Sequence, residues 1–187
     1  MKLPSIVGIA GTNGSGKDAL GALLQEKYDY TTVSLSDILR AELDTQGKPH
    51  TRENLSGLSK QIREAEGDGA MSRRVMDQYG TVKLCITSIR TPGEVEVIQQ
   101  AGGIVVWIDA DEHIRYNRVQ NSNRGRGVTD MISFEEFQAQ QVAEMAPTAQ
   151  GGGLNMRAVR ELADVHLENN FSSLSEYETY LTDYFKL

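Results

Sequence analysis

The sequence predicts an α/β protein: a five-stranded parallel sheet with helices on both faces, three layers in all. Three observations carry this. Short apolar runs alternate with longer amphipathic stretches along the chain, the pattern that strand–helix–strand units produce. The first run, Ser5–Ala10, leads into a glycine-rich loop at Gly11–Gly16 and then a helical stretch from Lys17 to about Tyr28. The length of 187 residues, with 39% apolar and 24% charged positions, suits one globular unit able to bury a sizeable core.

The elements follow in order. Thr31–Leu35 is a short strand, after which Ser36 is placed to cap a helix reaching about Thr45. Residues 52–66 form a polar helix with Leu55, Leu58 and Ile62 on one face; residues 69–79 form another with Met71, Val75 and Met76. Val82–Ile89 is the third strand. Thr91-Pro-Gly-Glu94 is a capping box with proline at the first helical position. Gly103–Asp109 is the clearest buried strand, and a helix over 111–121 follows it. Ser133–Glu136 and Ser173–Glu176 open two more helices by the same capping chemistry, with a fifth strand at Val165–Asn169 between them. The last helix carries Leu174, Tyr177, Tyr180, Leu181 and Tyr184 as an apolar stripe. Asn121–Asp130 and Ala146–Gly153 are polar, glycine-containing loops.

Composition excludes several classes. With 19 Lys+Arg against 26 Asp+Glu, the net charge of −7 opposes a nucleic-acid-coating surface. One cysteine, Cys85, permits neither an intramolecular disulfide nor a cysteine-based zinc cluster. No apolar run approaches the roughly 18–20 residues of a membrane span, and Ile6–Ala10 is short for a signal sequence. The expectation is a cytoplasmic protein without membrane or nucleic-acid partners; the sequence leaves its oligomeric state open.

The strongest chemical signal is Gly11-Thr-Asn-Gly-Ser-Gly-Lys17, a G-x-x-x-x-G-K phosphate loop set between a strand and a helix. Gly11, Asn13, Gly14, Ser15 and Gly16 supply backbone N–H groups that curl around phosphate oxygens, and the helix N-terminus adds its positive end. Lys17 brings a mobile charge to the β- and γ-phosphates. The next position normally offers a hydroxyl to Mg²⁺; here it is Asp18. Asp18 either ligates the metal, directly or through water, or favours the helix N-terminus by charge alone. A GTPase reading fails because no Asn-Lys-x-Asp occurs and both Asp-x-x-Gly matches, Asp44–Gly47 and Asp77–Gly80, fall on helical stretches.

The order Gly11–Lys17, Ser34–Arg40, Thr51–Asn54, Ile89-Arg90, Asp109 with Arg115 and Arg118, Arg124-Gly-Arg126 and Ala163–Asn169 resembles the nucleoside-monophosphate-kinase-like P-loop family. That family includes adenylate and dephospho-coenzyme A kinases and an uncharacterised archaeal branch. The resemblance implies the three-layer P-loop NTPase fold over residues 1–187, with an acceptor-side helical subdomain at about 36–79 and a lid at about 121–130. It implies ATP and Mg²⁺ as cofactors, with Asp18 at the metal. Asp37 would then contact the acceptor's sugar or hydroxyl, while Arg40 and Arg90 hold its phosphate, since a guanidinium fork suits phosphate oxygens. Alternatively, Arg40 is a solvated helix residue paired with Asp44. Arg118, Arg124 and Arg126 would supply lid charge to the transferring phosphoryl group; Arg115 shares a helix face with Arg118.

One departure stands out. The chain has Thr87-Ser88 where the family has Asp-Gly, so the third-strand carboxylate is missing. Either Asp18 replaces that charge, or catalysis has lapsed and a nucleotide-binding regulatory protein remains. His50, His113 and His166 are scattered without metal-ligand spacing. The expected reaction moves the ATP γ-phosphoryl to a small nucleotide-like acceptor, a nucleoside or deoxynucleoside monophosphate first, with dephospho-coenzyme A the alternative.

Overall fold

A computed structural model describes residues 1–121, 132–145 and 154–187. Among these the order is β1 (Ile6–Gly11), α1 (Lys17–Tyr28), β2 (Thr31–Ser34), α2 (Leu35–Thr45), α3 (Arg52–Glu66), α4 (Ala70–Tyr79), β3 (Leu84–Thr87), α5 (Pro92–Gln100), β4 (Ile104–Asp109), α6 (Glu112–Asn121), α7 (Phe134–Met145), α8 (Met156–Leu162), β5 (Val165–Glu168) and α9 (Leu174–Phe185). The strands form one parallel sheet, as predicted, and their order is β2-β3-β1-β4-β5.

Period-2 alternation sorts side chains between two cores. Val7, Ile9, Cys85, Val106, Ile108, Val165 and Leu167 face α1 and α9, where Leu20, Leu24, Tyr177, Leu181 and Phe185 complete the packing. Ile6, Ala10, Leu84, Ile86, Val105 and Trp107 point the other way, onto α2, α3, α4, α5 and α8 through Leu39, Leu58, Met71, Val95 and Val159. Both faces of the central strands are therefore buried, which is why their sequences read as near-continuous apolar runs. Only β5, an edge strand, alternates buried Val165 and Leu167 with exposed His166 and Glu168.

Chain order places the site. β1 is central, with the connections running to β2 and β3 on one side and to β4 and β5 on the other. Ligands of parallel sheets lie beyond the carboxyl ends of strands at such a reversal.

Local chemistry shifts some boundaries. Ser34, not Ser36, caps α2: its Oγ accepts from Ser36 N, so the helix starts two residues earlier and β2 is shortened. The Thr91 and Ser133 capping boxes are reciprocal. In the third, Ser173 Oγ accepts from Glu176 N, while the Glu176 carboxylate is taken by Ser172. Helix α8 was not predicted; seven residues beside a glycine run carry too little periodicity to read.

Glu94 in α5 is 3% exposed, and burial pushes its carboxyl up to about 7 against the pull of the Arg90 and Thr91 amides. A carboxyl raised above its unfolded value adds stability below the unfolded pKa, and loses it as pH rises through the folded one. Glu94→Gln cannot ionise. It should therefore match the wild type near pH 5 and exceed it at pH 8 by roughly 3 kcal/mol, the scale of the shift, in urea unfolding. Equal pH dependence in both proteins would refute this.

Candidate functional site

The loop between β1 and α1 is shaped by two left-handed glycines, Gly14 (φ 80°) and Gly16 (φ 86°). Its carbonyls are turned outward and bound one after another. Lys17 Nζ lies 3.5 Å from Thr12 O. Arg115 Nη1 approaches Asn13 O at 3.5 Å, and Arg118 Nη1 approaches Gly14 O at the same distance. Asn169 Nδ2 donates to Ser15 O at 2.8 Å. The Ser15 amide closes back on Thr12 O at 3.3 Å. Among the described residues the Gly14 and Gly16 amides have no hydrogen-bond partner, and neither does the fully buried Ser15 hydroxyl. These are donors that the oxygens of a phosphate-bearing ligand would satisfy.

Asp109, at the end of β4, fixes the loop's root. Its Oδ1 accepts from Thr12 Oγ1 (2.7 Å) and Ala110 N (2.9 Å) and lies 3.4 Å from Arg115 Nε. Arg115 is buried, donating to Ala110 O and to Gln141 Oε1 on α7, with its guanidinium over the Phe137 ring. It is thus a structural brace on the opposite side of the loop carbonyls. Arg118 is half-buried and donates to Phe171 O at 3.0 Å and Asn169 Oδ1 at 3.4 Å; burial lowers its guanidinium below the ordinary range. Asn169 is the common bracket, since its own N–H reaches Asp109 O at 2.8 Å.

The opposite half of the site surrounds β3. Asp37 and Arg40, one turn apart on α2, form an ion pair with each other at the surface. Asp44 instead contacts His50 at 2.7 Å, which corrects the alternative pairing of Arg40 with Asp44. An exposed pair of this kind contributes little to stability, so its groups are available for exchange with a ligand. Arg90 follows β3, the strand paired with β1. Its backbone is held on both sides: N–H donates to Glu94 Oε2 (2.8 Å), and C=O accepts from Asn155 N (3.0 Å). Its guanidinium is half-buried and has no partner among the described residues. Ser88 takes φ 65°, a left-handed conformation in a serine, and its Oγ lies 2.9 Å from Ser34 Oγ. The hydroxyl pair ties the ends of β2 and β3 together.

An AAA domain model matches residues 10–135 of this chain. A UPF0200 protein of Methanococcus maripaludis is 31% identical over 137 residues, 70% of this chain and 74% of the relative. The chain belongs to the UPF0200 family and carries this AAA domain. A second UPF0200 protein, of Hyperthermus butylicus, is 28% identical over 177 residues, 92% of this chain and 89% of its own. Among solved structures, a shikimate kinase from Bacteroides thetaiotaomicron superposes with a TM-score of 0.62 at 12% identity, covering 97% of this chain and 98% of that one. TT1252 from Thermus thermophilus gives 0.58 at 21% identity, covering 100% and 99%. The UPF0200 chain therefore has a P-loop kinase-like fold.

The residues present in this UPF0200 protein fit a nucleoside triphosphate: the Gly14 and Gly16 amides, an orphaned buried Ser15 hydroxyl and a lysine at the helix start. For Mg²⁺ the fit is narrower. No group of three or more acidic, histidine or cysteine side chains converges among the described residues. Asp18 is an exposed carboxylate in the first turn of α1, and Mg²⁺ at phosphate sites commonly needs only one or two carboxylates besides phosphate and water. No carboxylate stands at the end of β3, where Thr87 is buried with its methyl toward Gly21. Arg124 and Arg126 lie outside the described residues. Of these residues no helix is long and apolar enough to cross a membrane. The Cys85 thiol, pushed up to about 12 by burial, is chemically quiet.

Sequence reasoning missed Gln141, Asn155 and the bracket formed by Asn169. Asn169 alone had a signal, as the last residue of the Ala163–Asn169 segment that carries the family resemblance.

Proposed function

We propose that this chain is an ATP- and Mg²⁺-dependent phosphotransferase that moves the γ-phosphoryl group to a small nucleotide-like acceptor, first a nucleoside or deoxynucleoside monophosphate. The observation that carries this is the partnerless Arg90 guanidinium at the carboxyl end of β3, one strand from the phosphate loop. A loop alone binds one polyphosphate; a second anion site on the neighbouring strand supplies the acceptor. Arg90 holds that acceptor's phosphate bidentately, and Asp37 and Arg40 complete its contacts from α2 within the helical segment 36–79.

Gly11, Asn13, Gly14, Ser15, Gly16 and Lys17 cradle the donor phosphates. Asp18 holds Mg²⁺, which when bound shields the phosphate charges and orients them. Arg118 walls the donor side, and Arg124 and Arg126 bring charge to the transferring group from the 121–130 segment. Phosphoryl transfer depends chiefly on such positioning and charge stabilisation. Dephospho-coenzyme A is the alternative acceptor. The P-loop kinase-like fold supports this reading; shikimate, for which one structural neighbour is named, joins the panel as a fold-based comparison.

A screen of ADP release from MgATP against nucleoside monophosphates, deoxynucleotides, dephospho-coenzyme A and shikimate tests this. Acceptor-dependent release is expected. The absence of a carboxylate at Thr87 favours a second reading, a nucleotide-binding regulatory protein. That reading predicts ATP binding with no acceptor-dependent release.

Asp18 also carries a prediction. If it replaces the missing third-strand charge, Asp18→Ala should lower Mg²⁺-dependent turnover by about 10- to 100-fold, the scale of lost positioning charge, and raise the Mg²⁺ concentration required. Full turnover at unchanged Mg²⁺ would end the compensation idea.

A further inference from the structure

We propose that Glu94 is the positioning residue of Arg90: its buried carboxylate grips the Arg90–Thr91 backbone, and through Asp68 ties that grip to the α3–α4 segment on the acceptor side. The inference rests on the reading that Arg90 takes the acceptor's anionic group.

Glu94 does more than cap α5. One oxygen, Oε2, accepts from both Thr91 N (3.1 Å) and Arg90 N (2.8 Å), the second lying outside the helix it caps. The opposite side of the same residue is fixed by Asn155 N. Arg90 therefore projects from a backbone clamped at both its N–H and its C=O, while its own side chain is held by nothing among the described residues. A stiff base carrying an uncommitted guanidinium is the arrangement that preorganised anion binding requires.

The clamp is also cross-braced. Asp68 Oδ2 accepts from Gly93 N at 3.1 Å, and Thr91 Oγ1 donates to Asp68 O at 3.1 Å. The starts of α4 and α5 approach closely at Gly69 and Gly93. A Cβ on Gly93 would lie 2.7 Å from Asp68 Cβ and 2.8 Å from Gly69 N. The charged groups facing Glu94 are Arg63 on α3, which favours its ionised form, and Asp68, which opposes it. Because burial brings the carboxyl to about 7, the grip changes strength near neutral pH. Ionised, Glu94 makes charge-assisted bonds roughly twice as strong as neutral ones.

The test uses the ¹⁵N-labelled full chain. Arg90 and Thr91 amide resonances should move together with a midpoint near pH 7 and stay fixed in Glu94→Gln, whose amide oxygen keeps the acceptor but cannot ionise. Sulfate, which does not titrate in this range, is the anion probe, read at the Arg90 side-chain Nε–H resonance so that binding at the phosphate loop is not counted. Sulfate affinity at Arg90 should rise severalfold from pH 6 to pH 8 in the wild type and stay flat in Glu94→Gln. In Glu94→Ala it should fall about tenfold or more at pH 8. Backbone amides that do not titrate, or that titrate equally in Glu94→Gln, overturn the positioning role. Amides that titrate through Glu94 while Arg90 ignores sulfate overturn instead the reading of Arg90 as an anion site. The pH series on the wild type and on Glu94→Gln decides the matter even if Glu94→Ala does not fold.

Discussion

Lys17→Ala is expected to reduce acceptor-dependent ADP formation by about 10³-fold or more, the scale of removing a charge aimed at the transferring phosphoryl group. The physical case is local. Lys17 is the first residue of α1 and is half-buried against the loop, with Nζ 3.5 Å from Thr12 O. Lys17 is not a core position, and unfolding by urea should change by less than about 1 kcal/mol. The charge has no replacement inside the loop, because Arg115 is committed to Ala110 O and Gln141 and Arg118 to Phe171 O. Steady-state ADP release with saturating acceptor measures the effect. A loss below tenfold would mean that Lys17 does not meet the donor phosphates.

Gly14→Ala is expected to damage both the loop and the fold. At φ 80° a side chain is strained, and the new Cβ would lie 2.6 Å from Arg115 O and 3.1 Å from Arg115 Cα. These are backbone atoms of α6, so no rotamer relieves the clash. The left-handed conformation alone costs roughly 1–2 kcal/mol, and separating the loop from α6 adds to it, giving a total of about 3 kcal/mol in urea unfolding. Moving the loop also breaks the brace between Gly14 O and Arg118, so ATP affinity should fall at least tenfold. Gly57→Ala is the control. Gly57 lies inside α3 with nothing within 4 Å of its would-be Cβ, and there alanine should stabilise by about 0.5–1 kcal/mol through helix propensity. If Gly14→Ala bound ATP as the wild type does, the loop would not be held in the way the carbonyl braces imply.

Much of the fold was legible because its determinants are local. Val105, Val106, Trp107 and Ile108 are all buried, two on each face of the sheet, so β4 had to read as an apolar run. Thr91 and Glu94, three apart, announce the start of α5 by side-chain chemistry alone. The loop Gly11–Lys17 is equally local, and its strand–loop–helix setting is found as expected. What stayed hidden is long-range. Asn169 meets Ser15 across 154 positions of chain, and Arg115 meets Gln141 across 26. No spacing rule relates such pairs.

The β3 turn shows a different kind of concealment. Ser88 holds a left-handed conformation and bonds Ser34, so the turn shape expected of glycine is kept by a serine. The altered letters read as loss of a carboxylate, and the structure bears that out, with Thr87 ending β3 and Ser88 in a left-handed turn tied to Ser34. On the acceptor side, Arg40 was legible as a candidate but its partner was not. Asp37 at i−3 and Asp44 at i+4 are equivalent neighbours on a helix, and His50 takes the second.

The most direct measurement follows the γ-phosphoryl group itself: ATP labelled at that position, incubated with Mg²⁺, the protein and each nucleotide acceptor, with the products separated. The account predicts label in an organic phosphate product, dependent on acceptor and abolished by Lys17→Ala. Label that stays in ATP, or appears only as inorganic phosphate at the same rate with and without acceptor, would contradict it.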